Sequence, residues 1–274
     1  MKKFYVFLIL FLAGCSTDDE ILTESEFRSD ISLYKEAHNE LKSKNYQKAS
    51  DLFTELDLMH PYSKWAAKGQ LMSGFALYQA NQYEEAIFAL NKFINLNPSD
   101  KNLDYAFYLK GFCYYERMNE VSRDQVIAKK AIETFNELRN KYPNSKYSKK
   151  AINHIKLLNN QLAGYEMNVG KFYQSRNKFL AAILRYQTIL KKHKNSAQIP
   201  ESLYRILECY ISIGLKNQAI KVAGIIKYNF PNSLWYKETL NAIRSSNIKI
   251  SQLEKILNDN QIDINNLNFD EFDF

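Results

Sequence analysis

Residues 83–98 read YEEAIFALNKFINLNP, and this stretch determines the fold that the sequence predicts. Its key apolar residues stand three, four and three residues apart: Tyr83, Ala86, Leu90 and Phe93. These steps put the four side chains on one face of a helix, and Pro98 ends that helix. Because alanine is small, a second, antiparallel helix can pack closely against this face. The stretch therefore predicts one half of a helix–turn–helix unit.

The same pattern occurs at four other places in the chain. The copies are Tyr46, Ala49, Phe53, Leu56 and Pro61; Ala131, Phe135, Leu138 and Pro143; Phe179, Ala182, Tyr186 and Ile189; and Ala219, Ala223, Ile226 and Pro231. Lys194 replaces the proline of the fourth copy, which predicts a longer or looser helix end there. Gly74 and Gly170 precede two of the alanines by twelve residues and are the matching small positions on the preceding helix. The pattern predicts an all-α fold, a right-handed α-solenoid of about five tetratricopeptide-type helix–turn–helix repeats.

Two connections in this pattern are longer than the others. Residues 116–130 are polar and are predicted to form a surface loop inserted in the third repeat. Residues 145–175 lack proline, and their apolar positions recur at steps of three and four, which predicts one helix about 45 Å long. The predicted division of the chain is a lipoprotein signal peptide (1–14), an N-terminal lipid-anchored linker (15–29), repeats 1–3 (30–143), a long connecting helix (144–175), repeats 4–5 with capping helices (176–257) and an acidic, disordered tail (258–274).

Serine and an aromatic residue follow three of the repeat prolines. The serines are Ser63, Ser145 and Ser233, and each is predicted to cap the next helix by accepting a backbone N–H hydrogen bond. The aromatic residues are Trp65, Tyr147 and Trp235, which we expect to pack near the helix starts.

The first fifteen residues have the organisation of an export signal. Lys2 and Lys3 precede an apolar run, residues 4–12, which is too short to span a bilayer because a spanning helix needs about 20 apolar residues. The run leads into Leu12-Ala13-Gly14-Cys15, which resembles the bacterial lipobox. That resemblance implies cleavage before Cys15 and attachment of a diacylglycerol and an N-acyl chain there, with no other cofactor. The alternative is an ordinary secretory signal with an incidental cysteine.

Ser16, the residue after that cysteine, favours the outer over the inner membrane. Removal of residues 1–14 takes two of the 37 basic residues and none of the 30 acidic ones, so the remaining chain carries +5. The tail, 258–274, has five acidic and no basic residues, so residues 15–257 carry +10. Because the signal exports the chain away from nucleic acid, acidic protein surfaces or lipid headgroups are the expected partners of this basic body.

The sequence contains no arrangement that indicates catalysis. The four histidines, His38, His60, His154 and His193, lie far apart and lack the spacing of metal ligands, so no metal site is predicted. No glycine-rich phosphate loop or nucleophile elbow is present. Cys113 and Cys209 are separated by a whole repeat, which favours two buried thiols over a disulfide. The chain is predicted not to be an enzyme.

Two runs of residues resemble the BamD family of outer-membrane assembly lipoproteins. The first is Leu96-Asn97-Pro98, continuing with Asn102-Leu103-Asp104-Tyr105-Ala106-Phe107-Tyr108 and Gly111. The second is Leu162-Ala163-Gly164-Tyr165-Glu166, continuing with Val169, Phe172-Tyr173, Arg176, Ala182 and Arg185. The resemblance extends over residues 28–232, with the repeats, the insertion and the N-terminal cysteine in register.

This resemblance implies a scaffold that helps to insert β-barrel proteins, bound by its lipid to the periplasmic face of the outer membrane. Its partners would be the POTRA domains of a BamA-like barrel protein, other assembly lipoproteins and unfolded outer-membrane proteins. Arg185 and Arg176 would contact the BamA-like partner, because a cation can pair with a POTRA carboxylate. Tyr62 and Trp65 are candidates for gripping substrate. The alternatives are a solvated arginine at Arg185 and helix-packing roles for the two aromatic residues.

Another class of repeat lipoprotein remains as the alternative function. Such a protein would coordinate cell-envelope or peptidoglycan synthesis, or the Tol–Pal system, by binding their components. These adaptors often carry a coiled coil before their repeats, whereas about fifteen residues separate Cys15 from the first predicted helix here. A glycan-binding lipoprotein would be expected to carry a cluster of exposed tryptophans. This chain has two tryptophans, at opposite ends of the predicted solenoid, which disfavours that function.

Overall fold

The structure, a computed structural model, describes residues 28–120 and 125–248. Eleven α-helices form this part of the chain. They are α1 Asp30–Lys42, α2 Tyr46–Met59, α3 Ala66–Gln79, α4 Tyr83–Leu96, α5 Leu103–Glu120, α6 Gln125–Lys141, α7 Lys146–Gln174, α8 Phe179–Lys192, α9 Ile199–Ser212, α10 Lys216–Asn229 and α11 Leu234–Ser245. Cys15, the linker before residue 28 and the acidic tail lie outside the described residues.

The helices pack in chain order, each mainly against its neighbours in sequence. Helices α1 to α10 form five pairs, and the buried apolar residues form four clusters that follow one another along the chain. Each pair is one helix–turn–helix repeat, and α11 packs on the last pair. The described chain is therefore an all-α tetratricopeptide-repeat solenoid, as the sequence pattern predicts.

The turns inside four of the repeats share one geometry. Each contains a single residue with left-handed backbone: Lys44, Asn81, Asn177 and Gly214. The next residue donates its N–H to a carbonyl five residues earlier, as Asn45 does to Glu40 and Gln82 to Leu77. This arrangement closes the first helix of a pair with a tight reversal. Asn247 ends α11 in the same way, so α11 has the features of the first helix of a further repeat.

Glycines allow the two helices of a repeat to approach closely. A Cβ added to Gly74 would lie 2.8 Å from Leu90, and one added to Gly170 would overlap the buried ring of Tyr186. Both glycines were predicted as small positions, and the structure confirms this. Gly111 has the same role opposite Phe135 in the third repeat.

The prediction of a surface loop over residues 116–130 is wrong for most of its length. Helix α5 continues to Glu120, and α6 already begins at Gln125. Met118, Ile127 and Ala128 are buried against the cluster that contains Leu158. These scattered apolar residues provide enough burial to keep both helices regular through a polar stretch.

The prediction of a longer or looser end for the fourth repeat is also wrong. Helix α8 has 14 residues, as α2, α4 and α10 do. Its capping residue, His193, has φ −127° and donates its N–H to the carbonyl of Ile189. His193 Nδ1 also lies 3.1 Å from Asn159 Oδ1 on α7. The end of α8 therefore contacts α7, whereas a proline follows the corresponding helix end in the other repeats.

The serines after the repeat prolines act at helix starts. Ser145 and Ser233 cap α7 and α11, accepting from the N–H groups of Tyr147 and Tyr236. Ser63 accepts from the N–H of Trp65, one residue before α3 begins. The caps predicted at Ser145 and Ser233 are confirmed, and Ser145 also donates to Asp104 Oδ2 at 2.6 Å, which joins α7 to α5.

Helix α7 is the longest helix of the described chain, with 29 residues. Its first half packs on α5 and α6, and its second half forms a repeat with α8. Cys113 and Cys209 are both buried and free, so the prediction of two separate thiols is confirmed. Burial raises the pKa of each thiol to about 12.

Candidate partner-binding surfaces

The aromatic residues predicted to bind substrate lie at the turn between α2 and α3. Tyr62 is fully exposed, whereas Trp65 stacks on Tyr34 of α1 with 4.5 Å between ring centroids. Lys68 lies over both rings of this stack. The same packing recurs at Tyr147 on Tyr105 and at Trp235 on Tyr204. Trp65 thus has the packing role expected for all three aromatic residues, and Tyr62 is the one free to contact another molecule.

A polar feature of Trp65 distinguishes it from an ordinary packing residue. Its Nε1 is buried and has no hydrogen-bond partner among the residues that the structure describes. A buried N–H without a partner loses about 1–3 kcal/mol relative to a bonded one. Lys64 also lies 5.6 Å from the centroid of the Trp65 ring, so both Lys64 and Lys68 lie beside this ring.

Arg185, predicted to bind a partner, lies on α8 beside α7. Its Nη1 is 3.3 Å from Oε2 of Glu166, and the Arg185 side chain is 43% exposed while that of Glu166 is 10% exposed. The carboxylate therefore sits inside the repeat and holds the guanidinium at the surface. An arginine has five N–H donors, so donors remain on Arg185 for an acidic partner.

A cleft opens next to Arg185 between α6, α7 and α8. It has a volume of about 230 Å³, and its walls include Lys129, Lys192, His193 and Glu166. Burial lowers the pKa of His193, so its ring is neutral at neutral pH. The cleft thus presents two lysines and two glutamates, Glu133 and Glu166, beside a neutral imidazole, next to the exposed side chain of Arg185.

Arg176, the other predicted partner-binding residue, lies in the turn between α7 and α8. Its guanidinium carbon is 3.8 Å from the ring centroid of Phe172, and both residues are exposed. Arg176 thus contacts an aromatic ring, whereas Arg185 contacts a carboxylate. The two arginines thus have different partners on α7, Glu166 for Arg185 and Phe172 for Arg176.

A second cleft, which was not predicted from the sequence, opens between α2, α3 and α4. It has a volume of about 260 Å³, and Phe88 stands at its edge with 75% of its surface exposed. Asp57, buried on α2, pairs with Lys92 and accepts from Gln70 at 2.6 Å. Phe88 lies between Ala86 and Leu90 in the sequence, but its side chain is on the outward side of α4. An aromatic residue at such an outward position is the sequence feature that indicates this cleft.

The remaining polar groups do not converge on a catalytic arrangement in the part of the chain described. Across residues 28–120 and 125–248, no three His, Cys, Asp or Glu side chains are grouped to hold a metal ion. His154 lies among Tyr108, Phe112, Tyr115 and Phe135, and burial lowers its pKa. No helix within these ranges combines the length and apolar character needed to cross a membrane.

The fold and these surfaces define a tetratricopeptide-repeat protein whose exposed features suit binding to other proteins. Its comparison with known proteins gives the family: a model described as YfiO, outer membrane lipoprotein, matches residues 28–224. The chain belongs to this family.

Individual proteins also resemble the chain. The outer membrane protein assembly factor BamD of Caulobacter vibrioides is 36% identical over 217 residues, which cover 79% of this chain and 71% of that protein. The protein of the same name from Rickettsia prowazekii is 34% identical over 237 residues, covering 86% and 93%. Among solved structures, the TPR2AB domain of yeast Sti1 matches with a TM-score of 0.41 and 16% identity, over 84% of this chain and 97% of that one.

Proposed function

We propose that the chain is a non-catalytic scaffold of the machinery that assembles β-barrel proteins in the outer membrane. Lipids on Cys15 would anchor it to the periplasmic face of that membrane. The observation that carries the proposal is membership of the family matched over residues 28–224, together with relatives named as BamD assembly factors. A repeat solenoid supports this role because it offers long surfaces to partner domains.

In this proposal, the C-terminal repeats bind the POTRA domains of a BamA-like barrel protein through Arg185. Glu166 supports the assignment because it accepts a hydrogen bond from Nη1 of Arg185 and leaves 43% of the Arg185 side chain exposed. The adjacent cleft carries both charges, Lys129 and Lys192 against Glu133 and Glu166, so the exposed guanidinium of Arg185 is the group that an acidic patch of the partner would pair with. Arg176 and Phe172 would extend the contact at the end of α7.

The N-terminal repeats would receive unfolded barrel proteins. Tyr62 supports this part of the proposal because it is fully exposed beside the stack of Trp65 on Tyr34. An aromatic side chain of an extended substrate could pack against Tyr62 and the edge of this stack, where Lys64 and Lys68 attract its acidic residues. Other assembly lipoproteins would join the same complex.

The first experiment isolates the tagged chain from gently solubilised membranes and identifies the co-purifying proteins by mass spectrometry. The proposal expects a POTRA-bearing barrel protein in near-equal amount. Recovery of Tol, Pal or peptidoglycan-synthesis proteins in its place would contradict the proposal and show that the chain is an envelope adaptor of the same fold.

The second experiment tests Arg185 by binding of the purified chain to the POTRA domains. Arg185→Glu is expected to weaken binding by about tenfold or more, since it places like charges across the interface. Arg244→Glu, an exposed arginine on α11, is the matched control and should bind normally. The double exchange Arg185→Glu with Glu166→Arg restores the pair within the repeat. If that double variant also restores binding, Arg185 acts only by holding Glu166, and the direct contact is ruled out.

A further inference from the structure

The first half of α7, residues 146–158, extends beyond the helices of the fourth repeat. The end of α8 contacts α7 at Asn159 through His193, and the next turn bonds Asn160 through the N–H of Ala197. Before these positions, α7 packs only on its α5 and α6 side, where Ala151 and Leu158 are fully buried. The opposite face of this half therefore has no covering helix in the described part of the chain.

This uncovered face combines positive charge with apolar surface. Its residues are Lys149, Lys150, Ile152, Lys156 and Leu157, called here the basic face. Ile152 and Leu157 are 49% and 53% exposed. Residues of this spacing occupy one side of a helix. A surface that is cationic and apolar together suits an acidic segment with apolar side chains.

The three lysines of the basic face form no ion pair with the other described residues. Residues 139–165 contain six basic side chains and no acidic one. Among the described ion pairs, the one in this stretch joins Lys141 to Glu137. Asp104, at the start of α5, is engaged by Ser145. The three lysines of the basic face thus remain available for an anionic partner.

The chain itself contains a segment of matching chemistry. Residues 258–274 carry five acidic and no basic residues, and apolar residues alternate among them. These apolar residues are Ile262, Ile264, Leu267, Phe269, Phe272 and Phe274. We propose that this acidic segment docks on the basic face of the same molecule, with its carboxylates on the lysines and its apolar side chains on Ile152 and Leu157.

The segment is long enough to reach the face. The described chain ends at Ile248, which is buried against the core of the last repeats. The 26 residues that follow can extend up to about 86 Å. The distance from the end of α11 to Lys149 is roughly 50 Å, taking 8–10 Å between neighbouring helix axes and 1.5 Å per helical residue. Covalent linkage raises the local concentration of the segment to the millimolar range, so a weak contact suffices.

The test measures the distance between two spin labels on the full mature chain in detergent. Labels at Gln161→Cys, beside the basic face, and Asn268→Cys, in the acidic segment, report docking. Cys113 and Cys209 do not interfere because both are buried and burial raises their pKa to about 12. Docking predicts one short, narrow distance distribution at low salt, which becomes long and broad at 0.5 M salt.

Two triple variants make the test specific. Lys149→Glu with Lys150→Glu and Lys156→Glu is expected to abolish the short distance. Lys35→Glu with Lys42→Glu and Lys44→Glu, three exposed lysines near α1, has the same charge change and should retain it. A broad distribution in the unaltered chain, or equal behaviour of both triple variants, would overturn the proposal.

A dilution experiment and a peptide complete the design. If unlabelled protein removes the short distance, the segment docks on a second copy and the intramolecular proposal is wrong. A synthetic peptide of residues 258–274 should bind the chain truncated after residue 257 and lose about tenfold in affinity between 0.05 and 0.5 M salt. No detectable peptide binding at millimolar concentration would also contradict docking. These outcomes do not depend on the assembly role proposed above.

Discussion

The two halves of α7 belong to one continuous helix but have different surroundings. Residues 159–174 pack into the fourth repeat, where Gly170 lies against Tyr186 and Glu166 pairs with Arg185. Residues 146–158 pack on one side only and expose Ile152 and Leu157 on the other. The second half also exposes Tyr165 and Phe172, so the difference is that α8 covers a further side of it. How much of a helix is buried thus depends on which neighbouring helices reach it.

The largest expected effect comes from removing Tyr186. Its ring is fully buried and its hydroxyl donates to Gln174 Oε1 at 2.7 Å. Tyr186→Ala is expected to lower the free energy of unfolding by about 4 kcal/mol, because a large buried aromatic side chain leaves a cavity. Leu157→Ala, in the exposed half, should change it by less than about 0.5 kcal/mol. Urea unfolding followed by circular dichroism measures both, and equal losses would show that the two halves do not differ.

A smaller effect is expected from adding one methyl group at Gly170. The new Cβ would overlap the Tyr186 ring, so α7 and α8 must separate. Gly170→Ala is expected to cost about 2 kcal/mol from overpacking, despite the better helix propensity of alanine. Gly164→Ala is the matched control, because a Cβ there meets nothing within 4 Å. That control should stabilise the chain slightly; a loss at Gly164 as large as at Gly170 would refute the packing explanation.

The two ends of α7 should also differ, by a smaller amount. Ser145 caps the first half and bonds Asp104 of α5, whereas Ser175 at the other end is exposed and donates to Phe172. Ser145→Ala is expected to cost about 1 kcal/mol and Ser175→Ala clearly less. Thermal melts of the two variants compare the ends directly. A greater loss for Ser175→Ala would contradict the assignment of the cap.

The pH dependence should involve two histidines, His154 in the first half of α7 and His193 at the end of α8. Burial lowers the pKa of both His154, among its aromatic neighbours, and His193, which contacts Asn159. A folded-state pKa below the unfolded value of about 6.5 means that the unfolded chain binds more protons as pH falls. The stabilisation is therefore complete above pH 6.5 and is lost as pH falls toward the folded pKa values. Melts between pH 5 and 8 should show this fall, reduced in His154→Phe; an unchanged profile would remove His154 as a contributor.

Much of the fold could be predicted because the residues that pack the helices recur at the same spacing in each repeat. Alanine, the bulky apolar residues and proline recur at fixed steps, and the glycines at 74 and 170 indicate the close approach of paired helices. The loop predicted over 116–130 failed because Met118, Ile127 and Ala128 are buried, and a few scattered apolar residues in a polar stretch give a weak periodic signal. The end of α8 was mispredicted because a helix can end without a following proline: His193 has the same cap geometry as His60 and Asn97, which precede prolines.

The candidate surfaces were predictable only in part. A resemblance to a family pointed to Arg185 and Arg176. The contact between Arg185 and Glu166 could not be predicted in this way, because the two residues are 19 positions apart and lie on different helices. Phe88 stands out in the sequence as an outward aromatic residue, but one such residue does not show which helices form a cleft beside it. Tyr62 and Trp65 look equivalent in sequence, yet one is fully exposed and the other stacks on Tyr34.

The sequence by itself determined that this chain is a series of paired helices, because the spacing of small and large apolar residues fixes which side of each helix is buried. It also determined where most repeats end, through the prolines and the serines that follow them. Only the tertiary structure decided which outward faces stay open, because that depends on how far each neighbouring helix reaches. Helix α8 ends opposite Asn159, and for that reason the lysines of residues 146–158 remain at the surface.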